Sequence, residues 1–441
     1  MHERGDDAAV GGQAAVARTG KDLDEEPLMS ALDRRTFLRV SLLATSTAVT
    51  GGVLAACVAP PSASQSAGAT PAAQPTQAQA AAQSTQPQAA AKAPQAAPVA
   101  APAAQTINLK FQSTFGQTDI FHLMGQDWIR KIEEMSNGRV KIDYLPNGAV
   151  IPFAQLIDGI HQGLLDGGVG VPAYWFGKSK AVSLFGTGPS FGMDAEMLLG
   201  WMAYGGGERL YAELLQEVLK LDVVSFFNSP MPTQPLGWFK RPIQSPDDLK
   251  GLKYRTVGLS ADLFNELGVA VTILAGPDIV PALERGVIDG AEYNNPSSDK
   301  LLGFADVAKF LMVQSYHQPV EFLEFLMNKQ KYESLPKDIQ SIFKYAAMAQ
   351  SADSTWKYFL DQNSQDLIEL KSKGVTVTRT PQSVLKAQLD AWDVIVDRES
   401  KADPFFDKVI KSQKDWAARV VPLRAEIMVE NQTAFEHYFK R

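Results

Sequence analysis

The chain has 441 residues, 45% of them hydrophobic and 21% charged, with 49 acidic against 42 basic side chains and a net charge of −7. That size and balance suit a globular protein with room for two or more domains, and an acidic surplus without a basic cluster in the body speaks against a nucleic-acid partner. The single cysteine, Cys57, rules out an internal disulfide and leaves no thiol nucleophile or cysteine metal site further along the chain.

The first segment with a pattern is Asp33-Arg34-Arg35-Thr36-Phe37-Leu38-Arg39. It precedes a small-residue apolar stretch, Val40 to Ala56, too short and too weakly hydrophobic for a comfortable membrane span. Paired arginines followed by Phe-Leu resemble a twin-arginine export signal. Leu54-Ala55-Ala56-Cys57 resembles a bacterial lipobox, with Cys57 as the lipidated residue. Residues 1–56 therefore read as a twin-arginine-type lipoprotein signal. Residues 58–105 are nearly all Ala, Gln, Pro, Ser and Thr, with too little apolar bulk to offset the cost of ordering. With Cys57 they make residues 57–105 a lipidated, disordered stalk, which implies an extracytoplasmic body tethered to a membrane.

From Thr106 the pattern becomes regular. Residues 107–114 read as a strand, 118–138 as an amphipathic helix closed by Asn137-Gly138, 139–146 as a second strand and 152–167 as a second helix. A short buried strand and turn follow at 167–175. A second unit has a strand at 252–258, a helix at 260–268 capped by Ser260, a strand at 269–276, and a helix with a strand entry at 276–294. Gly163-Leu164-Leu165-Asp166-Gly167 echoes Gly286-Val287-Ile288-Asp289-Gly290: in each, the glycine can end the helix with positive φ and the Asp-Gly turn can feed the next strand. Two similar α/β lobes with a cleft between them are expected. Beyond Tyr316 the composition turns helical over 336–374 and 381–441, more than two small lobes need for cover.

Enzyme signatures are missing. There is no nucleophile elbow, Walker loop or His-Glu-x-x-His pair, and Gly186 to Gly192 has the wrong spacing for a dinucleotide loop. His122, His161, His317 and His437 show no metal spacing and read as surface or supporting groups. The residues that do ask for an explanation are a carboxylate, a phenol and amides, Glu292-Tyr293-Asn294-Asn295, at the exit of a buried strand.

Four runs together resemble the solute-binding proteins of TRAP transporters, the tripartite ATP-independent periplasmic (DctP) family. They are 136–152 (SNGRVKIDYLPNGAVIP), 245–258 (SPDDLKGLKYRTVG), Ala275-Gly276-Pro277-Asp278 through Tyr293, and 301–310 (LLGFADVAKF). The likeness covers the body from Thr106 onward and is greatest to the branch that binds 2-oxo acids and related monocarboxylates. It implies a two-lobed α/β fold of the type II periplasmic-binding-protein kind, with an interlobe cleft and long C-terminal helices. Residues 106–231 would form mainly lobe I and 232–315 mainly lobe II, while 316–441 would supply crossover strands and helices that brace both lobes and make dimer contacts.

The same resemblance assigns roles. Arg255 matches the arginine that grips the solute carboxylate, a fork-to-carboxylate fit in shape and charge. Gln234, Glu292 and Tyr293 match positions that hold a bridging cation, Na+ or Ca2+, through oxygen ligands. Gln318 stands where the family has glutamate in His-Glu-Pro, here His317-Gln318-Pro319, and is expected to donate to a keto or hydroxyl oxygen of the solute. Tyr293 stands where tryptophan is usual. Tyr174 is the expected aromatic wall, with Trp175, Phe191 and Trp238 as weaker candidates. The implied function is extracytoplasmic capture of a small 2-oxo or 2-hydroxy monocarboxylate for a TRAP membrane permease, by a lipid-anchored homodimer and without catalysis. A dicarboxylate or sugar acid as solute, or an oxo-acid-processing enzyme, are the alternatives.

Overall fold

The computed structural model describes residues 106–440, so the twin-arginine signal, Cys57 and the stalk lie outside the described residues. Eleven strands among the described residues form two sheets. The first contains β1 (Ile107–Ser113), β2 (Val140–Leu145), β3 (Gly167–Gly170), β4 (Val223–Met231) and β10 (Glu321–Asn328), in the order β2-β1-β3-β10-β4. The second contains β5 (Gly237–Phe239), β6 (Lys253–Arg255), β7 (Ala270–Thr272), β8 (Gly290–Ala291), β9 (Phe310–Val313) and β11 (Thr376–Arg379), in the order β11-β9-β5-β8-β6-β7. Both sheets are mixed: β1 runs parallel to β2 and β3, β6 parallel to β7 and β8, while β10 and β5 are antiparallel to their neighbours. Each sheet is the floor of one lobe, as the two-lobed expectation requires.

The repeated glycine-aspartate corner is built the same way in both lobes. Gly163 and Gly286 have φ of 75° and 70°, the left-handed conformation that glycine takes at least cost. After the first, the Asp166 backbone N–H donates to the Lys110 carbonyl while its carboxylate accepts from the Lys110 N–H. Asp289 does the same with Lys253. Each aspartate thus locks the third strand of its unit to the first.

The helix α1 (Ile120–Met135) is capped by Asp119, whose side chain accepts from the Phe121 N–H. Its buried face includes Ile120, Phe121, Met124, Trp128, Ile129 and Ile132, at helical spacing. Trp128 stacks on Phe325 of β10 with ring centroids 3.7 Å apart, which pins α1 to the first sheet. In the second lobe α2 (Leu259–Glu266) starts at Gly258 rather than at a Ser260 cap: Ser260 lies inside the first turn and its hydroxyl donates to the His317 carbonyl.

Among the described residues the chain passes between the lobes at 232–236, at 314–320 and through the helical segment 337–372. The first two passages lie side by side, joined by a hydrogen bond from the Gln234 N–H to the Gln318 carbonyl. The third begins as α3 (Lys337–Ser354), widens into a π-helix over Thr355–Gln362 and continues as α4 (Asn363–Ser372). Asp353 pairs with Lys131 of the first lobe, and Asp366 with Lys300 of the second, so this rod touches both. Two more long helices, α5 (Gln382–Ala402) and α6 (Pro404–Ile427), precede α7 (Asn431–Phe439), none of whose residues is buried.

Candidate functional site

Between the lobes, where the first two passages cross, lies a cavity lined by Phe115, Phe121, Val171 and Tyr174 from the first lobe and by Arg255, Val257, Tyr293 and Asn294 from the second. Gln234, Gln318, Glu321 and Met231 from the passages and their strands complete it. Its volume is only about 20 Å³, the room of one water. Any organic acid entering it has to separate the walls.

Arg255 ends β6 and is 1% exposed. Its Nε donates to the Leu274 carbonyl, and Nη1 donates to both the carbonyl and Oε1 of Glu292, each at 2.9 Å. The Nη2 arm takes part in none of these bonds. Tyr293 lies under the guanidinium, with Cζ 5.5 Å from the ring centroid. Burial pushes the Glu292 carboxyl up to about 7, against the pull of Arg255. The pair is thus a buried ion pair whose acid sits near its midpoint at neutral pH.

Two buried amide oxygens around this pair, Gln234 Oε1 and Gln318 Oε1, lack a hydrogen-bond donor, and the Thr256 hydroxyl faces the Glu292 carboxylate. An unpartnered buried oxygen is costly, and one carboxylate with two amide carbonyls is the hard-oxygen donor set that Na+ or Ca2+ prefers. The residues present therefore fit a cation, and a single carboxylate leaves room for solute oxygens among the ligands.

Gln318 is held in place by a neighbouring carboxylate. Its amide nitrogen donates one N–H to Glu321 Oε2 at 2.8 Å, which leaves the second N–H and an unpartnered Oε1 for other partners. Glu321 also accepts from the Phe322 N–H, and burial raises its carboxyl well above the ordinary range.

Tyr293 supplies a contact that the sequence did not reveal. Its hydroxyl donates to Asp119 Oδ2 at 2.5 Å, so a side chain of the second lobe is hydrogen-bonded to the N-cap of α1 in the first. Burial raises the Asp119 carboxyl to about 6. The substitution Tyr293→Phe removes this donor across the cleft and should weaken solute binding by about fivefold, on the order of 1 kcal/mol. Calorimetric titration checks this; unchanged affinity would show that the bond does not contribute to closure.

Other candidates lie elsewhere. Trp238 is buried with its indole N–H on Asp299 at 2.7 Å, Trp175 packs in the first lobe's core, and Phe191 lies under the Lys414 ammonium. None of the three lines the cavity; Tyr174 does. His122 and His317 are buried rather than on the surface, and burial lowers His317 to about 3 while its Nδ1 pairs with the Ser315 hydroxyl. Glu321 and Asp119 were missed. The signal for Glu321 was available, since it and Glu324 interrupt an otherwise apolar run, VEFLEFLM.

Residues 111–402 match the sequence model of DctP, bacterial extracellular solute-binding protein, family 7. A monocarboxylate 2-oxoacid-binding periplasmic protein of Nostoc sp. is 32% identical over 296 residues, which is 66% of this chain and 79% of that protein. A TRAP periplasmic solute-binding protein of Colwellia psychrerythraea, crystallised with calcium and pyruvate, superposes with a TM-score of 0.69 at 28% identity, covering 76% of this chain and all of that one. A TRAP transporter solute-binding protein of Bordetella bronchiseptica, a mixed-occupancy dimer with calcium and picolinate in one site, gives a TM-score of 0.70 at 26% identity, covering 76% of this chain and 97% of that one.

Proposed function

Because the chain belongs to the DctP family of bacterial extracellular solute-binding proteins, we propose that its interlobe cavity captures a small 2-oxo or 2-hydroxy monocarboxylate together with a cation. The protein is the extracytoplasmic binding component of a TRAP transporter, not an enzyme. The observation that carries the solute reading is the buried Arg255–Glu292 pair with unpartnered amide oxygens on Gln234 and Gln318 around it.

In this reading the Nη2 arm of Arg255 takes the solute carboxylate, while Nε and Nη1 keep the guanidinium aimed through Leu274 and Glu292. Gln234, Glu292 and the Tyr293 carbonyl would hold Na+ or Ca2+, which supplies a positive charge shared between Glu292 and the solute oxygens. Without that charge, an ionised Glu292 would face a second anion in a dry cleft. Glu321 orients Gln318, and Tyr174 closes the outer side. Closure brings Tyr293 onto Asp119, with the passages at 232–236 and 314–320 absorbing the backbone change.

Two further parts belong to the same proposal. Lipidated Cys57 and the stalk hold residues 106–440 at the membrane near the permease. The protein pairs as a dimer through its C-terminal helices; supporting this, Phe435, Tyr438 and Phe439 of α7 are exposed. Sedimentation that shows only monomer at micromolar concentration would exclude the dimer.

Thermal unfolding tests the solute class. At 100 times Kd a ligand adds about 2.7 kcal/mol, so pyruvate or lactate with calcium should raise Tm by several degrees and succinate should not. A shift with dicarboxylates alone would overturn the monocarboxylate reading.

A further inference from the structure

The glycine-rich run Gly186 to Gly192 contributes no residue to the cavity, yet its backbone is wound in a costly way. Gly188, Ser190, Phe191 and Gly192 have φ of 94°, 49°, 54° and 84°. Two adjacent non-glycine residues in the left-handed region persist only where their surroundings enforce it. Here the Ser190 hydroxyl donates to the Gly188 carbonyl at 3.2 Å, and the Lys414 ammonium of α6 lies over the Phe191 ring. Trp392 of α5 packs so closely that a Cβ on Gly188 would lie 2.6 Å from its ring.

Thr187, at the start of the run, reaches the other lobe. The run lies between β3 and β4, strands of the first sheet, whereas α2 lies between β6 and β7, strands of the second. α2 opens at Gly258, which has no side chain to cap it. The opposite lobe supplies the cap: the Leu259 N–H donates to Thr187 Oγ1 at 3.3 Å. Thr187 is buried, and its hydroxyl donates in turn to the Ser183 carbonyl. A Cβ on Gly258 would come 2.9 Å from Ser183 Oγ and 3.1 Å from Thr187 Oγ1, so the approach needs glycine there. Lys180 adds an ion pair to Asp262 of the same helix at 2.7 Å.

The two elements also meet on the passage at 314–320. The His317 carbonyl accepts from the Gly188 N–H and from the Ser260 hydroxyl of α2, each at 2.9 Å. Gln318, the next residue, lines the cavity, and Arg255 ends the strand that leads into α2. The first N–H groups of a helix have no partner within it, and one left unpaired in a dry contact is costly. Parting the lobes gives the Leu259 N–H to water; joining them gives it to Thr187.

We infer that Thr187 is a positioning residue for solute capture: it caps α2 from the opposite lobe, only when the lobes are closed, and so holds the closed form around the Arg255 end of the cavity. The strained run is the mount that presents its hydroxyl. The inference goes beyond the solute reading and applies to whichever carboxylate the cavity takes. A bond made only in the closed form shifts the balance of open and closed states, so its loss is read in Kd and not in the stability of the solute-free protein.

The test is Thr187→Val, which keeps the shape, beside Thr187→Ser, which keeps the hydroxyl. The Ser183 carbonyl keeps a partner in both, because the Thr187 backbone N–H also donates to it, at 2.7 Å. Titrated with pyruvate in calcium, Thr187→Val should bind about fivefold more weakly, the size of a lost N-cap, with the solute-free Tm unchanged. Thr187→Ser should bind as wild type does. Hydrogen exchange at the Leu259 amide should be fast in the solute-free protein, and slowed by saturating pyruvate in wild type and Thr187→Ser. Unchanged affinity in Thr187→Val, or a Leu259 amide already protected without solute, would overturn the closed-state cap. Should Thr187→Val not fold, or pyruvate not bind the wild type, exchange at Leu259 in the solute-free wild type still decides: protection contradicts the inference and fast exchange supports it. Pyruvate failing to bind would count against the proposed solute alone.

Discussion

Replacing Arg255 with alanine should remove high-affinity capture, weakening Kd by roughly 30- to several-thousand-fold. Truncating one partner of a buried, hydrogen-bonded charge pair costs about 2–5 kcal/mol. The side chain is almost wholly inaccessible outside the cavity and is fixed by Leu274 and Glu292, so no neighbouring cation can take its place. Arg255→Lys keeps the charge but loses the fork, and should recover only part of the affinity. Global unfolding would be a different result, and it is distinguished by near-ultraviolet circular dichroism. Losing the guanidinium raises the Glu292 carboxyl further, so the acid becomes neutral rather than a stranded buried charge. A folded Arg255→Ala variant with wild-type affinity would end the assignment.

The second large effect belongs to Glu292. Its carboxyl lies near 7 because burial disfavours the charge, and a cation is held only by the ionised form. The sign follows directly: deprotonation rises with pH, so calcium-assisted binding strengthens as pH rises through 7 and weakens below it. Between pH 8 and pH 6 the ionised fraction falls about tenfold, and Kd should rise by the same factor. Glu292→Gln should abolish both the pH and the calcium dependence and weaken binding in calcium by roughly 10- to 100-fold, the range for a lost charged contact of about 1.5–3 kcal/mol. Unchanged pH dependence in this variant would move the titration to another group, with Asp119 the first to examine.

Much of this arrangement was legible in the sequence, for identifiable reasons. The twin glycine-aspartate corners are local features, and local features are what turn chemistry and periodicity report. They gave two lobes, each with its sheet, before any coordinates. Arg255, Gln234 and Glu292 were found through resemblance, and the structure brings the first and third into direct contact and Gln234 onto the same cavity.

What was not legible depends on contacts far apart in the chain. Asp119 reads as the start of a helix and nothing more, because its second partner, Tyr293, is 174 residues away. The strand β10 was expected only as an unplaced crossover strand within 316–441. Every residue from Glu321 to Met327 is buried, so no polar alternation marks it. Glu321 and Glu324 lie in that strand at an odd spacing, and one lines the cavity while the other accepts from the Tyr211 hydroxyl.

The account is tested most directly by measuring proton release when pyruvate binds at pH 7. Calorimetry in two buffers of different ionisation enthalpy would be run once with calcium and once with chelator. A Glu292 carboxyl near 7 predicts release of about half a proton per solute bound with calcium, and much weaker binding without it. Binding of equal strength in chelator, with no proton released, would contradict a cation shared between Glu292 and the solute.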